Sequence, residues 1–456
     1  MYFSELTIGL LLAGILPIVI AGVQVSKEGF TGFLSLRFLS IAFIWLGYHF
    51  SPFIAYLSDI HWKSFLLVPD FVDAGLCFST LSMCCIVVGG GLLKPRSFVS
   101  RRNKLNRPRR LQIFTISNRW LCVILIVNIL LFIINVGGID DIWSATYGRG
   151  EGQFELRLGK DKFFHVLRVL SMPLSVFSAS IATLSVLQQK KKISTNILGY
   201  LILISASLES IHSFSRAAGF PLLIFAFLVL LIKHEKGIFK ATVAVFIAFF
   251  LGSVGLHHRS YYSPGLYNFI KAVEEYEFIS TKNEVRVLIG PGDNPLDAMA
   301  PWTRKTLSRE QEESNSVSFD LISRLLWNLQ PFPSEIVPVK SIGRDLSEVM
   351  GTWGQFRITT PAMAELYYVF GMPGALLFIL LGRMFLFFDK RFFIQPDVST
   401  TVCLLLCFVS LPVGLHSGMR AMTRPLLYAL VIYFIVHKNW KTIFKYHGHR
   451  YTKVRV

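Results

Sequence analysis

Long apolar runs alternate with short charged connectors along most of the chain, and one long polar stretch interrupts the alternation. The runs fall at 5–23, 36–57, 71–93, 118–136, 166–187, 193–211, 219–233, 238–256, 361–386, 397–415 and 421–437. Crossing a bilayer as a helix takes about 20 apolar residues. The pattern therefore predicts an all-α polytopic membrane protein with about 11 transmembrane helices and one large external loop. The expected division is helices one to eight with short loops over 1–256, the loop over 257–360, helices nine to eleven over 361–437, and a basic tail over 438–456.

Inside the polar stretch the pattern changes period. Tyr267–Phe278 has apolar residues at helical spacing, with Glu274, Glu275 and Glu277 on the other side. Gly290-Pro291-Gly292-Asp293-Asn294-Pro295 is a turn signal. Ser318–Leu329 is amphipathic and begins on a capping Ser. Its apolar face has two readings, contact with the membrane interface or a small helical core beneath the loop. Pro331, Pro333 and Pro338 then break the chain. There is no fixed-period repeat and no low-complexity tract.

Composition agrees with a membrane chain: 53% of the 456 residues are hydrophobic and 16% are charged, against about 25% charged in a soluble domain. The net charge of +18 raises the question of nucleic acid. Its distribution answers it. Lys94, Arg96, Arg101, Arg102, Lys104, Arg107, Arg109 and Arg110 form one basic run, and the tail from Lys438 to Arg455 forms another. Both lie beside apolar runs, where excess Lys and Arg mark the cytoplasmic side and meet anionic lipid. No nucleic-acid partner is expected. Lys27 and Arg37, Lys190–Lys192, Lys233, Lys236 and Lys240, and Lys390 and Arg391 extend the same side. The opposite connectors carry Glu5, then Asp59, Asp70 and Asp73, and are mixed or acidic. The expected topology places the N-terminus outside and the C-terminus inside. The first apolar run lacks the basic start of a cleavable signal peptide, so it is expected to stay as a span. The six cysteines all fall in apolar runs, which suggests packing rather than a disulfide framework.

The candidate chemistry lies at the expected external lips. Arg149, Arg157, Arg216, Arg344, Arg357 and Arg420 all sit there. A charge placed at the centre of a span costs about 2.5–3.5 kcal/mol on insertion scales. Arginine offers a rigid fork of donors to phosphate, so several short loops with one Arg each would suit a pyrophosphate. Each arginine alone also has a plainer reading, snorkelling to the interface. Arg216 stands out, in the tight turn Ser215-Arg216-Ala217-Ala218-Gly219, and Arg357 stands just before the helix that starts at Pro361. Glu365 lies about one turn into that helix, and Glu209 lies near the end of the sixth run. An apolar setting suits a carboxyl to general-base work near neutral pH. The alternative is a structural ion pair with an Arg on a neighbouring helix. His416 offers a second base, and His212, His257 and His258 are further outer-edge histidines. No Asp-x-Asp, His-x-x-x-His or His-Glu-x-x-His occurs, so no metal is expected. Gly89-Gly90-Gly91 lacks the following Lys-Ser/Thr of a phosphate loop.

Three features resemble the Wzy-type oligosaccharide repeat-unit polymerases, the O-antigen polymerase group. They are the Ser-Arg-Ala-Ala-Gly turn at 215–219, the large loop before a late span, and Glu365-Leu-Tyr-Tyr-Val-Phe-Gly371-Met-Pro-Gly374 opening that span. The last is similar to an E-x-Y-x-x-F-G-x-x-G pattern in that family. The resemblance implies a multi-span fold like that of C-type glycosyltransferases, in a bacterial inner membrane, acting on the outer side without metal or other cofactor. It implies an undecaprenyl-pyrophosphate-linked glycan as substrate, the bilayer as surroundings and a chain-length regulator as a further partner. It also implies external-loop arginines on the pyrophosphate. Arg216 and Arg357 match best, while Arg149, Arg157, Arg344 and Arg420 match by position alone. Glu365 or His416 would then be the base for the acceptor hydroxyl.

Other readings remain at this point. An O-antigen ligase shares the architecture. A flippase or transporter of the lipid-linked unit predicts ionisable groups at the bilayer midplane and broken helices. A non-catalytic assembly partner would tolerate loss of the arginines.

Overall fold

The computed structural model describes residues 5–53, 69–93, 118–136, 138–145, 162–187, 193–258, 262–276, 322–324, 326, 361–394, 398–416 and 419–436. Among them there is helix and turn and no strand. The helices of nine or more residues are α1 (Glu5–Ala13), α2 (Ile15–Ser26), α3 (Leu36–Trp45), α4 (Pro69–Gly89), α5 (Asn118–Val136), α6 (Lys162–Leu187) and α7 (Ile193–His212). They continue as α8 (Phe220–Lys233), α9 (Ile238–His258), α10 (Leu266–Glu274), α11 (Ala362–Phe370), α12 (Leu377–Ile394), α13 (Val398–His416) and α14 (Met419–Val431). Wider π turns extend α3 through Leu46–Phe50 and α14 through Ile432–Val436.

Among the described residues, six stretches are long and apolar enough to cross a membrane: Leu6–Ser26, Val72–Gly89, Asn118–Val136, Ile193–His212, Ile238–Gly255 and Met372–Phe392. Four shorter apolar helices lie at Pro173–Leu187, Phe220–Ile232, Thr400–Leu411 and Met422–Phe434. This is the build of a multi-pass all-α membrane protein. The apolar run 361–386 is not one helix. It is α11, then a break at Gly371 with φ 61° and a 3-10 turn Met372–Leu376, then α12. Hydropathy is continuous across that join, so it hides the backbone break.

Two apolar cores organise the bundle. One joins α1 to α4 with α11 and the start of α12, and the other joins α6 to α9 with α12 to α14. Helix α13 lies between them and packs on α3, α6, α11, α12 and α14. Thr400 to Cys407 are all buried, as expected of a helix that is apolar all round. The outer faces of α2, α5 and α9 instead leave Leu16, Val19, Ile126, Leu130, Phe239 and Phe246 exposed. On spans these are lipid-facing positions. The α4–α12 crossing depends on glycine. A Cβ at Gly89 would stand 2.2 Å from the Ile379 carbonyl oxygen, and one at Gly382 would stand 2.8 Å from the Gly90 nitrogen. This is what the Gly89-Gly90-Gly91 run does: it lets two helices touch.

Polar residues bind helices to one another inside the bundle. Asn128 on α5 donates to Ser205 on α7 at 3.2 Å and accepts from Ser178 on α6 at 2.9 Å. Thr7 on α1 donates to Asp73 on α4 at 2.6 Å. Asp73 therefore lies inside a helix contact and not on an external connector. Arg37 departs from the sequence expectation in the same way. Read as a cytoplasmic surface charge, it is 1% exposed. Its Nε donates to Asp389 at 3.0 Å, one guanidinium nitrogen to Glu28 at 3.0 Å and the other to the Gly90 carbonyl at 3.3 Å. Burial raises the Glu28 carboxyl above its usual value, and Arg37 pulls it back down. Of the polar stretch 257–360, the helix expected over Tyr267–Phe278 runs as Leu266–Glu274. The turn at 290–295 and most of the amphipathic stretch Ser318–Leu329 lie outside the described residues.

Candidate functional site

The turn that carries Arg216 is held by its own backbone and by a close helix contact. Ser215 N donates to Ser210 O at 2.8 Å and Ala218 N to Ser215 O at 3.1 Å. The 3-10 turn Arg216–Gly219 then runs straight into α8. Gly219 presses on α9: a Cβ there would stand 2.4 Å from the Ala248 carbonyl oxygen. Only glycine fits, so the Ser-Arg-Ala-Ala-Gly sequence is a junction that sets Arg216 at the start of the 3-10 turn leading into α8. Phe214, at φ 50°, anchors the turn from below, buried against the rings of Tyr262 and Phe269. The Arg216 backbone is fixed by this junction; its side chain lies outside the described residues.

Glu365 lies on α11 with every other side chain of that helix from Ala362 to Val369 buried around it. Its carboxylate accepts a hydrogen bond from the backbone N–H of Met419 at 3.0 Å. Met419 is the first residue of α14, and the first N–H groups of a helix have no partner inside it. Glu365 supplies that partner from a different helix, at the positive end of the α14 dipole. The same contact brings Glu365 to the turn between α13 and α14. His416 ends α13 and Arg420 is the second residue of α14, so both flank the bonded N–H in the chain. Their side chains lie outside the described residues. Three sequence-selected positions thus meet at one corner: Glu365, His416 and Arg420. The contact described for Glu365 there is a helix cap.

Arg216 is carried by α7, α8 and α9, whereas α11 packs on α13 and α14. No described contact joins the two places. Arg149, Arg157, Arg344 and Arg357 lie outside the described residues.

Glu209 and His212 have defined partners. Glu209 accepts from Asn135 Nδ2 at 2.9 Å. His212 Nε2 lies 2.8 Å from the Asp141 carbonyl oxygen, which can only accept, so that nitrogen carries the proton. The ring also packs edge-on to Phe132 at 5.9 Å. His212 is a brace for the 138–145 segment. His49 was not selected from the sequence. Its Nε2 lies 2.9 Å from Ser79 Oγ, and its ring lies against Gly14, where a Cβ would meet Nδ1 at 2.3 Å. A histidine inside an apolar run gives no periodic signal, so only the fold reveals it. Among the described residues, no group of three or more His, Cys, Asp or Glu side chains is placed to hold a metal ion.

Comparison with known proteins gives no match: no family model, no curated protein and no solved structure matches the chain.

Proposed function

We propose that the chain is a glycosyltransferase that joins lipid-linked oligosaccharide repeat units, a polymerase of the Wzy type with about eleven spans. In this reading it lies in a bacterial inner membrane with its N-terminus outside, its C-terminus inside and the 257–360 loop over the site. The observation that carries the reading is the Glu365–Met419 contact. It joins the Glu365-Leu-Tyr-Tyr-Val-Phe-Gly371 motif to the start of α14, next to Arg420 and three residues after His416 in the chain, which supports a reading in which an acid, a base and a cation act together.

The chemistry needs little else. The donor glycan arrives on undecaprenyl pyrophosphate, already an activated leaving group. An acceptor hydroxyl oxygen bonds to the donor anomeric carbon as the bond from that carbon to the pyrophosphate oxygen breaks. Glu365 or His416 takes the hydroxyl proton. Arg216, Arg357 and Arg420, with Arg149, Arg157 and Arg344 in support, balance the charge growing on the pyrophosphate.

The test is an extension assay on one defined lipid-linked repeat unit with the purified protein in lipid. A polymerase lengthens the unit unaided, and a ligase leaves it unchanged. Arg216→Ala and Arg357→Ala proteins that insert normally are expected to lose extension; full-length product from both would end the proposal.

A lipid-linked-glycan flippase is the second reading. The helix break at Gly371 and the π turns at Leu46–Phe50 and Ile432–Val436 favour it. Against it, the buried Arg37–Asp389 pair lies at helix ends and not at their middles.

A further inference from the structure

The end of α3 gathers polar atoms that the bundle leaves unpaired. Trp45 closes the α-helical part, and Tyr48 and His49 follow it in the π turn Leu46–Phe50. They come three and four positions after Trp45, the spacing of neighbours on one helix face. Tyr48 is 0% exposed and His49 2%. Trp45 Nε1, Tyr48 Oη and His49 Nδ1 are all buried, and none has a hydrogen-bond partner in the protein. The same holds for Ser51 Oγ, three positions after Tyr48, and for Thr80 Oγ1 on α4. Roughly nine in ten or more of buried polar groups find a partner, so five unpaired atoms in one region need a physical cause.

Two neighbours of His49 place this group inside the spans and not at their lips. Its Nε2 lies 2.9 Å from Ser79 Oγ on α4. A Cβ on Gly14 would stand 2.3 Å from Nδ1, 2.4 Å from Cε1 and 2.7 Å from Cγ. Such even distances put Gly14 over the face of the ring and leave the Nδ1 edge clear of it. Ser79 lies seven residues inside Val72, the start of one apolar span, and Gly14 eight inside Leu6, the start of another. At 1.5 Å per residue these are about 10 Å and about 12 Å. The two starts are level, because Thr7 donates to Asp73 at 2.6 Å. Two helices therefore give one depth.

Counting protons selects the ligand. Ser79 donates its one hydroxyl proton to the Leu76 carbonyl at 2.9 Å, so towards His49 it can only accept. Nε2 therefore carries the ring proton, and Nδ1 of the neutral ring is a bare acceptor. Trp45 Nε1 only donates, and the Tyr48 hydroxyl does either. An anion cannot bond a bare ring nitrogen, and a cation cannot bond an indole N–H. A small ligand that both donates and accepts suits all three, and that ligand is water, which inside proteins makes about three such bonds. We propose that the π turn and the facing stretch of α4 hold an internal water site, in which water donates to His49 Nδ1 and accepts from Trp45 and Tyr48. Wide turns of this kind are frequent at functional sites. The proposal does not rest on the glycosyltransferase reading. It makes His49 a histidine that meets water from inside a span.

The experiment is water-edited solid-state nitrogen-15 NMR on the full chain, labelled at histidine and reconstituted in phosphatidylethanolamine–phosphatidylglycerol vesicles. The His49 signal is the one lost in His49→Gln. If that protein does not fold, Ser79→Ala assigns it, by shifting the ring nitrogen that Ser79 bonds. Water beside Nδ1 is expected to pass magnetisation to the His49 ring at short mixing times. A ring that gains nothing from water, while its ordinary spectrum is at full strength, means a dry pocket and overturns the proposal. A second measurement needs no label, the melting temperature of Tyr48→Phe in lipid nanodiscs. Deleting a hydroxyl that binds water is expected to lower it. Deleting an unpaired hydroxyl from a dry pocket leaves it unchanged or raises it, and either result counts against the water site.

Discussion

Asp389 near the end of α12 receives the Nε–H of Arg37 at 3.0 Å and the backbone N–H of Leu36 at 2.9 Å, across more than 350 residues of sequence. Leu36 is the first residue of α3, so Asp389 caps a helix that Ser35 also caps, through its side-chain contact with Phe38 N. One carboxylate thus serves as ion-pair partner and helix cap, and it fastens α12 to α3. The Gly90 carbonyl and Glu28 bring the ends of α4 and α2 to the same knot.

Asp389→Asn and Arg37→Met are each expected to destabilise the protein strongly. Removing one partner of a buried pair costs about 3–5 kcal/mol; Arg37→Met leaves Asp389 without its counter-charge and is the costlier change, whereas in Asp389→Asn Arg37 keeps Glu28. Replacing both, as Arg37→Met with Asp389→Leu, removes the charges together and is expected to recover much of the loss, because well-packed apolar replacements of buried pairs are often neutral. Glu28 shares the guanidinium, so the double variant is best made with Glu28→Gln as well. Thermal unfolding in detergent, followed by size-exclusion recovery, reads the order. Single variants as stable as the parent would show that the pair contributes nothing net.

Glu365 separates a cap from a base by one conservative change. Glu365→Gln keeps an oxygen that accepts from Met419 N–H, so stability is expected to stay close to the parent. Glu365→Ala leaves that buried N–H without its partner, at about 1–3 kcal/mol. If the carboxyl also takes the acceptor proton, Glu365→Gln loses about 10²–10⁴-fold in extension rate while unfolding unchanged. Full extension by Glu365→Gln assigns the base to another group and leaves Glu365 as the cap of α14.

Much of the helical plan was legible because lipid imposes length. The apolar runs 118–136, 193–211 and 238–256 correspond to Asn118–Val136, Ile193–His212 and Ile238–His258. The break at Gly371 was less visible, since Phe370, Met372 and Leu376 keep the hydropathy high on both sides. Gly371 with Pro373 two residues on was the available signal. Arg37 was misplaced for a different reason. A single charge at the edge of a run reads as a surface residue, and its partner Asp389 lies hundreds of residues away with nothing local to mark it. At the candidate site, Glu365 was visible as an acid in an apolar helix, whereas its partner is a backbone N–H, which no side chain announces.

Gly219 offers a test of the Arg216 junction that leaves the arginine in place. A methyl group there would stand 2.4 Å from the Ala248 carbonyl, a backbone atom that cannot swing aside. Gly219→Ala is therefore expected to push α8 from α9 and cost about 1–3 kcal/mol, the usual range for overpacking. Since the same shift moves Arg216, extension should fall further than the loss of folded protein explains. Comparing activity per folded molecule with the melting temperature reads both effects. A Gly219→Ala protein with parental stability would mean that the turn has room the geometry denies.

The Asn128 network makes the opposite prediction, a small effect from a buried polar group. Asn128 links α5 to α6 and α7 through Ser178 and Ser205, and Ser205 also donates to its own helix at the Ile202 carbonyl. A hydroxyl with a local backbone acceptor loses little when its interhelical partner goes. Hydrogen bonds between membrane helices average about 0.6 kcal/mol and reach about 1.7 kcal/mol. Asn128→Ala is thus expected to cost on the order of 1 kcal/mol, well below either single variant of the Arg37–Asp389 pair, because no bare charge remains. Unfolding titrations with denaturing detergent on both sets would rank them. A larger loss at Asn128 than at Arg37 would mean that the three-helix network contributes more to the fold than the ionic knot.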